Sequence, residues 1–359
     1  MIRAKKLFDG LDYPDSIIIA ASEFYTAGPI AHLILGTHHR RLWSTKTKLP
    51  VYWGLDTMQF IKSGGGQQTT SLEVENKNGM HYTFRSVDKD NAKILPNLLK
   101  KSFLRPFLRD QASAINPYAT VVLNQFMNRL GILHPNPTIY VIPYTEKKDS
   151  VTQVFAGQTV LLEEEIGKSW IDHSEFDYPK RLIKTEPMLA ALQNKEVYLD
   201  TAMYIKCRLF DFVVSDWDRH EKQWKWGIYP SGTQKVVRPI PIDRDMALCM
   251  YRDGLVSKLV MLANNKFQSF DSGPMKVEEL IRNSITLDKK LLANVPKELF
   301  IQQVNIIRDQ LDMQFIEQAF MHYPPEIYQI TGPAHEKVFQ ERLEHLEKAA
   351  IDFHTLIQS

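Results

Sequence analysis

The chain has 359 residues, enough for about two domains or lobes at ~150 residues each, and its 44% apolar and 24% charged residues are the balance of a soluble globular protein. A net charge of +2 gives no overall field pointing to nucleic acid or an anionic membrane. Two cysteines, Cys207 and Cys249, make neither a disulfide framework nor a CxxC pair, and no apolar run approaches the ~20 residues that span a bilayer.

The N-terminal "MIRAKKLFDGLDYPDSIII" is basic, but Asp and Pro separate its charges from a short apolar run, which makes a poor signal peptide. A cytosolic chain and a mature piece of an exported one both fit. "DSIIIAAS" reads as a buried strand. The stretch 51–90 reads as a hairpin system. In "TSLEVEN", Leu72 and Val74 face one way and Glu73 and Glu75 the other, "KNG" turns the chain, and "MHYTFRSV" returns. "NPYATVVLNQFMNRLGI" is a helix with Val121, Val122, Gln125, Phe126 and Leu130 near one face and Gly131 at its C-terminal end. "HPNPTIYVIPY" follows as a strand, and "DSVTQVFAGQTVLLEEEIG" reads as a strand pair ending in acids.

Beyond residue 175 the pattern turns helical. "DTAMYIKCRLFDFVV" places Ala202, Ile205, Leu209 and Phe212 at helical spacing. Short strands around "KWGIYP" and "KVVRPIPI" flank a turn at Ser231–Gly232. Helices then cover "KVEELIRNSI", "KELFIQQVNIIRDQLDMQFIEQAF" and "AHEKVFQERLEHLEKAAIDFHTLIQ", the last starting near Thr331 and Pro333. This order predicts an α+β chain of two lobes, a strand-rich one with one main helix (1–165) and a helix-rich one (166–359), with the cleft between them as the ligand site.

Two acidic knots carry the chemistry. "SDWDRHEKQWKW" follows the apolar helix and holds Asp216, Asp218, Arg219, His220 and Gln223; "PIPIDRDMAL" holds Asp243 and Asp245. The strand–turn–strand between them has the length to fold one back on the other. Hard carboxylates brought together suit Mg²⁺, which takes one or two of them plus substrate phosphates. An Asp in a loop after a helix can position or deprotonate a hydroxyl. Either knot alone reads better as a buried ion network, a helix cap or a surface ladder; both together, behind a buried helix and beside aromatic residues, favour a site. His220 has no second His or Cys at zinc spacing, and His38–His39 lies elsewhere, so it reads as ordering the Asp218 loop. Trp217, Trp224 and Trp226 read as packing. Gly64, Gly65 and Gly66 form a Gly-rich turn that can cradle phosphate with its backbone N–H groups or simply close a hairpin. Arg85, and after a bend Lys89, are cations on and beyond the next strand.

Gly-rich turn, strand cation, "DRHEKQ" and "IDRD" occur in that order. The set resembles the atypical kinase-like superfamily of HipA-type, CotH and secretory-pathway kinases. That resemblance implies a two-lobed kinase-like fold binding ATP with Mg²⁺ or Mn²⁺. It assigns the catalytic Asp to Asp218 and metal ligands to Gln223 and Asp243, with Asp245 in reserve. It gives phosphate contacts to Gly64–Gly66, Arg85 and Lys89, and the nucleotide hinge to the strand and acids at Glu163 and Glu164. Asp110 and the acids 163–165 are candidate partners for Arg85. Gln223 stands where the family has Asn, Arg85 where it has Lys, and "DRD" where other kinases have Asp-Phe-Gly. "GTHHRRLW", "GGGQQTTSLEVENKNGMHYTFRSVDKD" and "SDWDRHEKQWKW" further resemble a module of bacterial BamA-like surface-antigen and metallophosphoesterase-type proteins, which implies a cell-envelope setting.

Three readings follow. The first is an ATP- and metal-dependent phosphotransferase acting on a hydroxyl of an unknown protein or small-molecule acceptor. The second is a weak or inactive pseudokinase that serves as a binding module. The third is a phosphohydrolase built on Asp216, Asp218, Asp243 and Asp245 around two metals.

Overall fold

The computed structural model describes residues 14–64, 70–90, 105, 109–144, 153–251, 253–256, 258 and 266–359. Its centrepiece in the first half is a five-stranded antiparallel sheet. The strands are β3 (Gln59–Gly64), β4 (Ser71–Glu75), β5 (His81–Ser86), β6 (Thr138–Val141) and β7 (Thr159–Glu164), ordered β3-β4-β5-β7-β6. Strand alternation divides the sheet into two faces. Leu72, Val74, Phe84 and Val160 point into a small core with Leu55, Ile142 and Phe155. Ser71, Glu73, Thr83, Arg85, Leu161 and Glu163 line a cleft on the other face.

The helix Ala119–Arg129 (α3) follows two short helices, α1 (Pro29–Leu35) and α2 (Arg40–Ser44). Val122, Phe126 and Leu130 pack into the main core, where Phe126 stacks on Phe339 at 4.3 Å, and Gly131 closes the helix at φ 65°. Thr120, Leu123, Asn124 and Met127, one turn-spaced row, line the cleft, with Leu123 and Met127 also packed into that core. A separate two-stranded sheet, β1 (Ser16–Ala20) with β2 (Lys46–Pro50), lies against the helical half: the Thr47 hydroxyl donates to Glu326 at 2.5 Å.

The second half is helical around an inserted sheet. That sheet comprises β8 (Arg181–Ile183), β9 (Tyr198–Leu199), β10 (Trp224–Ser231) and β11 (Gln234–Pro241), ordered β8-β10-β11-β9. Around it lie α4 (Thr185–Gln193), α5 (Thr201–Val213), α6 (Val277–Leu280), α7 (Ile285–Leu292), α8 (Lys297–Gln310), α9 (Met313–Phe320), α10 (Pro325–Glu344) and α11 (Leu346–Gln358). Asp200 caps α5 by accepting from the Met203 N–H at 3.0 Å, and the helix is buried along most of its length. Cys207 and Cys249 are free thiols in the interior. This is the expected α+β arrangement of two lobes. One continuous core, from Ile17 to Ile357, runs beneath both. Among the described residues no helix is long and apolar enough to cross a membrane.

Three expectations need correction. Of the strand pair expected over 149–167, only β7 is a strand among the described residues, where 154–157 form a turn. The helix expected over 297–320 breaks at Leu311, because Asp312 accepts from the Phe315 N–H at 2.7 Å and caps a new one. The helix expected to begin at Thr331–Pro333 begins at Pro325, and Pro333 lies inside it. Pro324–Pro325 is the stronger start signal. Beside Pro333, Gly332 admits the Tyr328 ring, which a Cβ there would meet at 2.3 Å.

Candidate active site

The cleft between the sheet, α3 and the segment after β11 has a volume of about 640 Å³. Gly64, Arg85, Lys89, Glu163, Glu164, Asp243 and Asp245 all line it. Gly65 and Gly66 lie outside the described residues. Asp218 and Gln223 come from the loop after α5, and a shared set of hydrogen bonds brings this loop to the segment after β11. The Ile242 N–H donates to the Gln223 carbonyl at 3.1 Å, and Arg219 Nη1 donates to the carbonyls of Gln223 (3.1 Å) and Ile242 (2.6 Å). The two acidic knots therefore meet, and the β10–β11 hairpin is the fold that returns one to the other.

The cations come from the sheet side. Arg85 Nε pairs with Glu163 Oε1 at 2.9 Å, a diagonal contact, since Arg85 faces Leu161 and Glu163 faces Thr83 in the β5–β7 register. Burial raises the Glu163 carboxyl above its usual range, and Arg85 opposes that rise. Asp110 does not serve Arg85. It takes a two-pronged pair from Arg40, at 2.7 and 2.6 Å, away from the cleft. Lys89 Nζ is ion-paired with Asp245 Oδ2 across the cleft. Burial holds the Lys89 ammonium below the usual lysine range, and the nearby Asp243 charge works against that fall. Glu164 accepts from the Asn136 N–H at 2.7 Å and thereby ties β7 to the approach of β6.

On the other side Asp243 lines the cleft, while Asp218 and Gln223 lie on the adjoining loop and do not line it. Asp243 sits at φ 58°, a left-handed conformation that a non-glycine residue adopts at a cost and that recurs at functional sites. Among the described residues its carboxylate has no hydrogen bond or ion pair. Asp218 is partly buried, and its Oδ1 accepts from Asn283 Nδ2 at 3.0 Å. Burial raises the Asp218 carboxyl, the charge of Asp243 adds to the rise, and His220, Lys266 and Arg219 oppose it. Gln223 folds back on its own loop. Its Oε1 accepts from the His220 N–H at 3.4 Å while His220 Nδ1 accepts from the Lys222 N–H at 3.2 Å, a reciprocal cap on the turn Glu221–Gln223.

Asp216 and Arg219 lie beneath the cleft. There Asp211, Asp216 and Asp288 face Arg208, Arg219 and Arg244, all buried, three charges of each sign. Arg219 reaches Asp216 at 2.5 Å and Asp211 at 3.3 Å; Arg208 reaches Asp211, and Asp288 at 3.1 Å; Arg244 reaches Asp211. Burial drives the Asp211 carboxyl up, but Arg219, Arg244 and Arg208 outweigh it and hold it low. Burial raises Asp216 to about 6, helped by Asp211. Arg208, Asp211 and Asp288 were missed in the sequence. For Arg208 and Asp211 the available signal was charge at i and i+3 inside a largely apolar helix; Asp288, on α7, carried none of that kind. Trp217, Trp224 and Trp226 are buried packing residues.

Among the described residues no three His, Cys, Asp or Glu side chains form a metal cage. A hard cation held by Asp243, with Asp218 in its neighbourhood, and completed by phosphate oxygens matches this donor set. Asp245 has one oxygen engaged by Lys89 and Gln223 Oε1 holds one hydrogen bond from its own loop, so neither is presented to a metal as openly as Asp243.

No family model and no curated protein matches the chain. Two solved structures are similar at low identity. The proinflammatory kinase CtkA of Helicobacter pylori shares 13% identity over 80% of this chain and 94% of its own, with a TM-score of 0.38. The Rio2 kinase–ADP/Mg²⁺–phosphoaspartate complex from Chaetomium thermophilum shares 16% over 74% and 78%, with a TM-score of 0.30. At these scores neither likeness bears on what the cleft does.

Proposed function

We propose that the chain is a nucleotide- and divalent-metal-dependent kinase-like phosphotransferase that acts on a hydroxyl acceptor. The observation that supports this reading is the division of charge across one cleft: Arg85 and Lys89 on the sheet side and Asp243 on the other, with the Asp218 loop bonded to the segment that carries Asp243. Cations there suit a phosphate chain and carboxylates suit its metal. The strand β7 and the acids Glu163 and Glu164 line the same cleft, where the base would lie.

In this reading Arg85, held by Glu163, and Lys89, freed from Asp245, bind the phosphates. Asp243 holds Mg²⁺ or Mn²⁺, which when bound neutralises charge on the transferring phosphoryl group. Asp218 takes the proton of the acceptor hydroxyl as its oxygen bonds to phosphorus and the bond to the departing nucleoside diphosphate breaks. Catalysis is positioning and charge neutralisation rather than covalent chemistry. Calorimetry with ATP and Mg²⁺ tests it: wild type binds, and Asp243→Ala loses the metal-dependent part. No binding, or undiminished metal-dependent binding by Asp243→Ala, overturns it. ATP labelled separately at the α and γ positions then tells phosphoryl from nucleotidyl transfer.

One observation favours a second reading, a nucleotide-binding module without transfer: the Gln223 carbonyl is taken up by the His220 N–H. That reading expects label transfer by wild type no greater than by Asp218→Asn. The four-carboxylate hydrolase is less well supported, because Asp216 is buried against Arg219 beneath the cleft rather than lining it.

A further inference from the structure

Asn283 lies in the turn before α7, 65 residues along the chain from Asp218, yet its amide Nδ2 donates to Asp218 Oδ1 at 3.0 Å. Both ends of this bond are anchored in the same buried charges. On the Asn283 side, the adjacent Ser284 hydroxyl accepts from Arg208 Nη2 at 2.7 Å and donates to Asp288 Oδ2 at 2.6 Å. Arg208 belongs to α5, the helix that delivers the Asp218 loop, and it also pairs with Asp211. On the Asp218 side, the neighbouring Arg219 is fixed to Asp211, to Asp216 and to the two carbonyls that join the knots. The turn and the loop are thus two projections of one rigid frame, and the distance between their side chains is set by that frame. Among the described residues no hydrogen bond engages Asp218 Oδ2.

A carboxylate with one oxygen held by a neutral amide has a fixed plane and a defined free lone pair. An amide suits this purpose better than a cation, since it orients the carboxylate without adding a charge that would weaken it as a base. We propose that Asn283 is a positioning residue for Asp218, holding Oδ1 and leaving Oδ2 to accept the proton of the acceptor hydroxyl. This deepens the phosphotransfer reading and rests on it.

The test has two parts. In the first, transfer of the γ-phosphoryl group from Mg²⁺-ATP, to the protein itself or to water, is followed in wild type, Asn283→Leu and Asn283→Gln. Positioning through Asp218 lowers kcat at least tenfold in Asn283→Leu with KM for Mg²⁺-ATP within twofold, and Asn283→Gln, which keeps the amide donor, recovers part of the loss. A kcat within twofold of wild type in Asn283→Leu overturns the proposal, as does a parallel loss in Asn283→Gln and Asn283→Leu. The second part needs no activity: urea unfolding of Asn283→Ala, Asp218→Ala and the double variant. The effects are expected to be non-additive, because each single change removes the same bond; additivity overturns the contact. If wild type transfers nothing while the cycle is non-additive, the phosphotransfer reading falls and takes the catalytic half of the proposal with it.

Discussion

Lys89 and Asp245 form an ion pair that spans the cleft from the sheet side to the segment after β11. On the proposed reading Lys89 would meet a phosphate and Asp245 a metal, so that a bound metal–nucleotide would exchange one internal pair for two external ones. Asp245→Asn is expected to tighten metal-free ATP binding about three- to tenfold by removing the competitor for Lys89, and Lys89→Met to weaken Mg²⁺-ATP binding about tenfold or more. Calorimetry with and without Mg²⁺ checks both. Equal affinities for Asp245→Asn and wild type would show that Lys89 plays no part in binding.

Arg85 tests the identity of the cation. Its pairing with Glu163 uses Nε, and the remaining guanidinium edge is left for a phosphate oxygen. Arg85→Lys keeps the charge and loses that geometry. The expected result is a several-fold rise in KM for ATP with the melting temperature within a few degrees of wild type. Glu163→Gln is expected to cost about 1 kcal/mol or less of stability, since Arg85 is more than a third exposed and solvent screens the pair. Thermal unfolding beside initial-rate kinetics separates the two effects.

The raised Asp218 carboxyl predicts a pH signature. A carboxylate whose pKa is higher folded than unfolded penalises the folded state once the pH is high enough to ionise it. Asp218→Asn should therefore melt at a higher temperature than wild type near neutrality. The difference should shrink as the pH falls through the raised value and vanish below about 3.9, the ordinary Asp value, where both states of the wild type are protonated. A difference that is constant from acid to neutral pH would contradict this.

The buried network predicts the reverse response. Asp211 answers three arginines, and Asp211→Asn leaves them one negative charge short in the interior. The expected loss is about 3–5 kcal/mol, seen in urea unfolding or as insoluble expression. Asp211→Asn with near wild-type stability would mean that water or a counter-ion reaches the network.

Much of this was legible in the sequence wherever local pattern and tertiary environment agree. The alternation in "SLEVE" gave the two faces of β4, because one face of that strand is buried and the other lines a cleft. The period of α3 gave Val122, Phe126 and Leu130 of its core but not Leu123 or Met127, and it put the half-buried Gln125 among them; the hairpin gave the meeting of the knots. What stayed hidden depends on distance along the chain. Asn283 is near Asp218 only because α5 and α7 share buried charges. Glu163 was one of several acids that could have answered Arg85, and only strand register chooses among them. Asp110, an equal candidate, is claimed by Arg40. The cap on Gln223 also depends on the fold: Gln sits three residues after the cap position as in the reciprocal capping pattern, but His220 stands where that pattern has Ser or Thr.

The β10–β11 hairpin works as a ruler. Its eight register pairs run from Trp224↔Pro241 to Ser231↔Gln234, and the contact between Gln223 and Ile242 lies one step beyond its base. Residues added at the Ser231–Gly232 tip lengthen only the far end and leave the spacing at the base unchanged. A single residue added within one strand breaks the register that sets Ile242 opposite Gln223 and so shifts Asp243 relative to the Asp218 loop. The tip is thus where the chain can be lengthened, tagged or cut without touching the chemistry, while each strand is a gauge that tolerates no error.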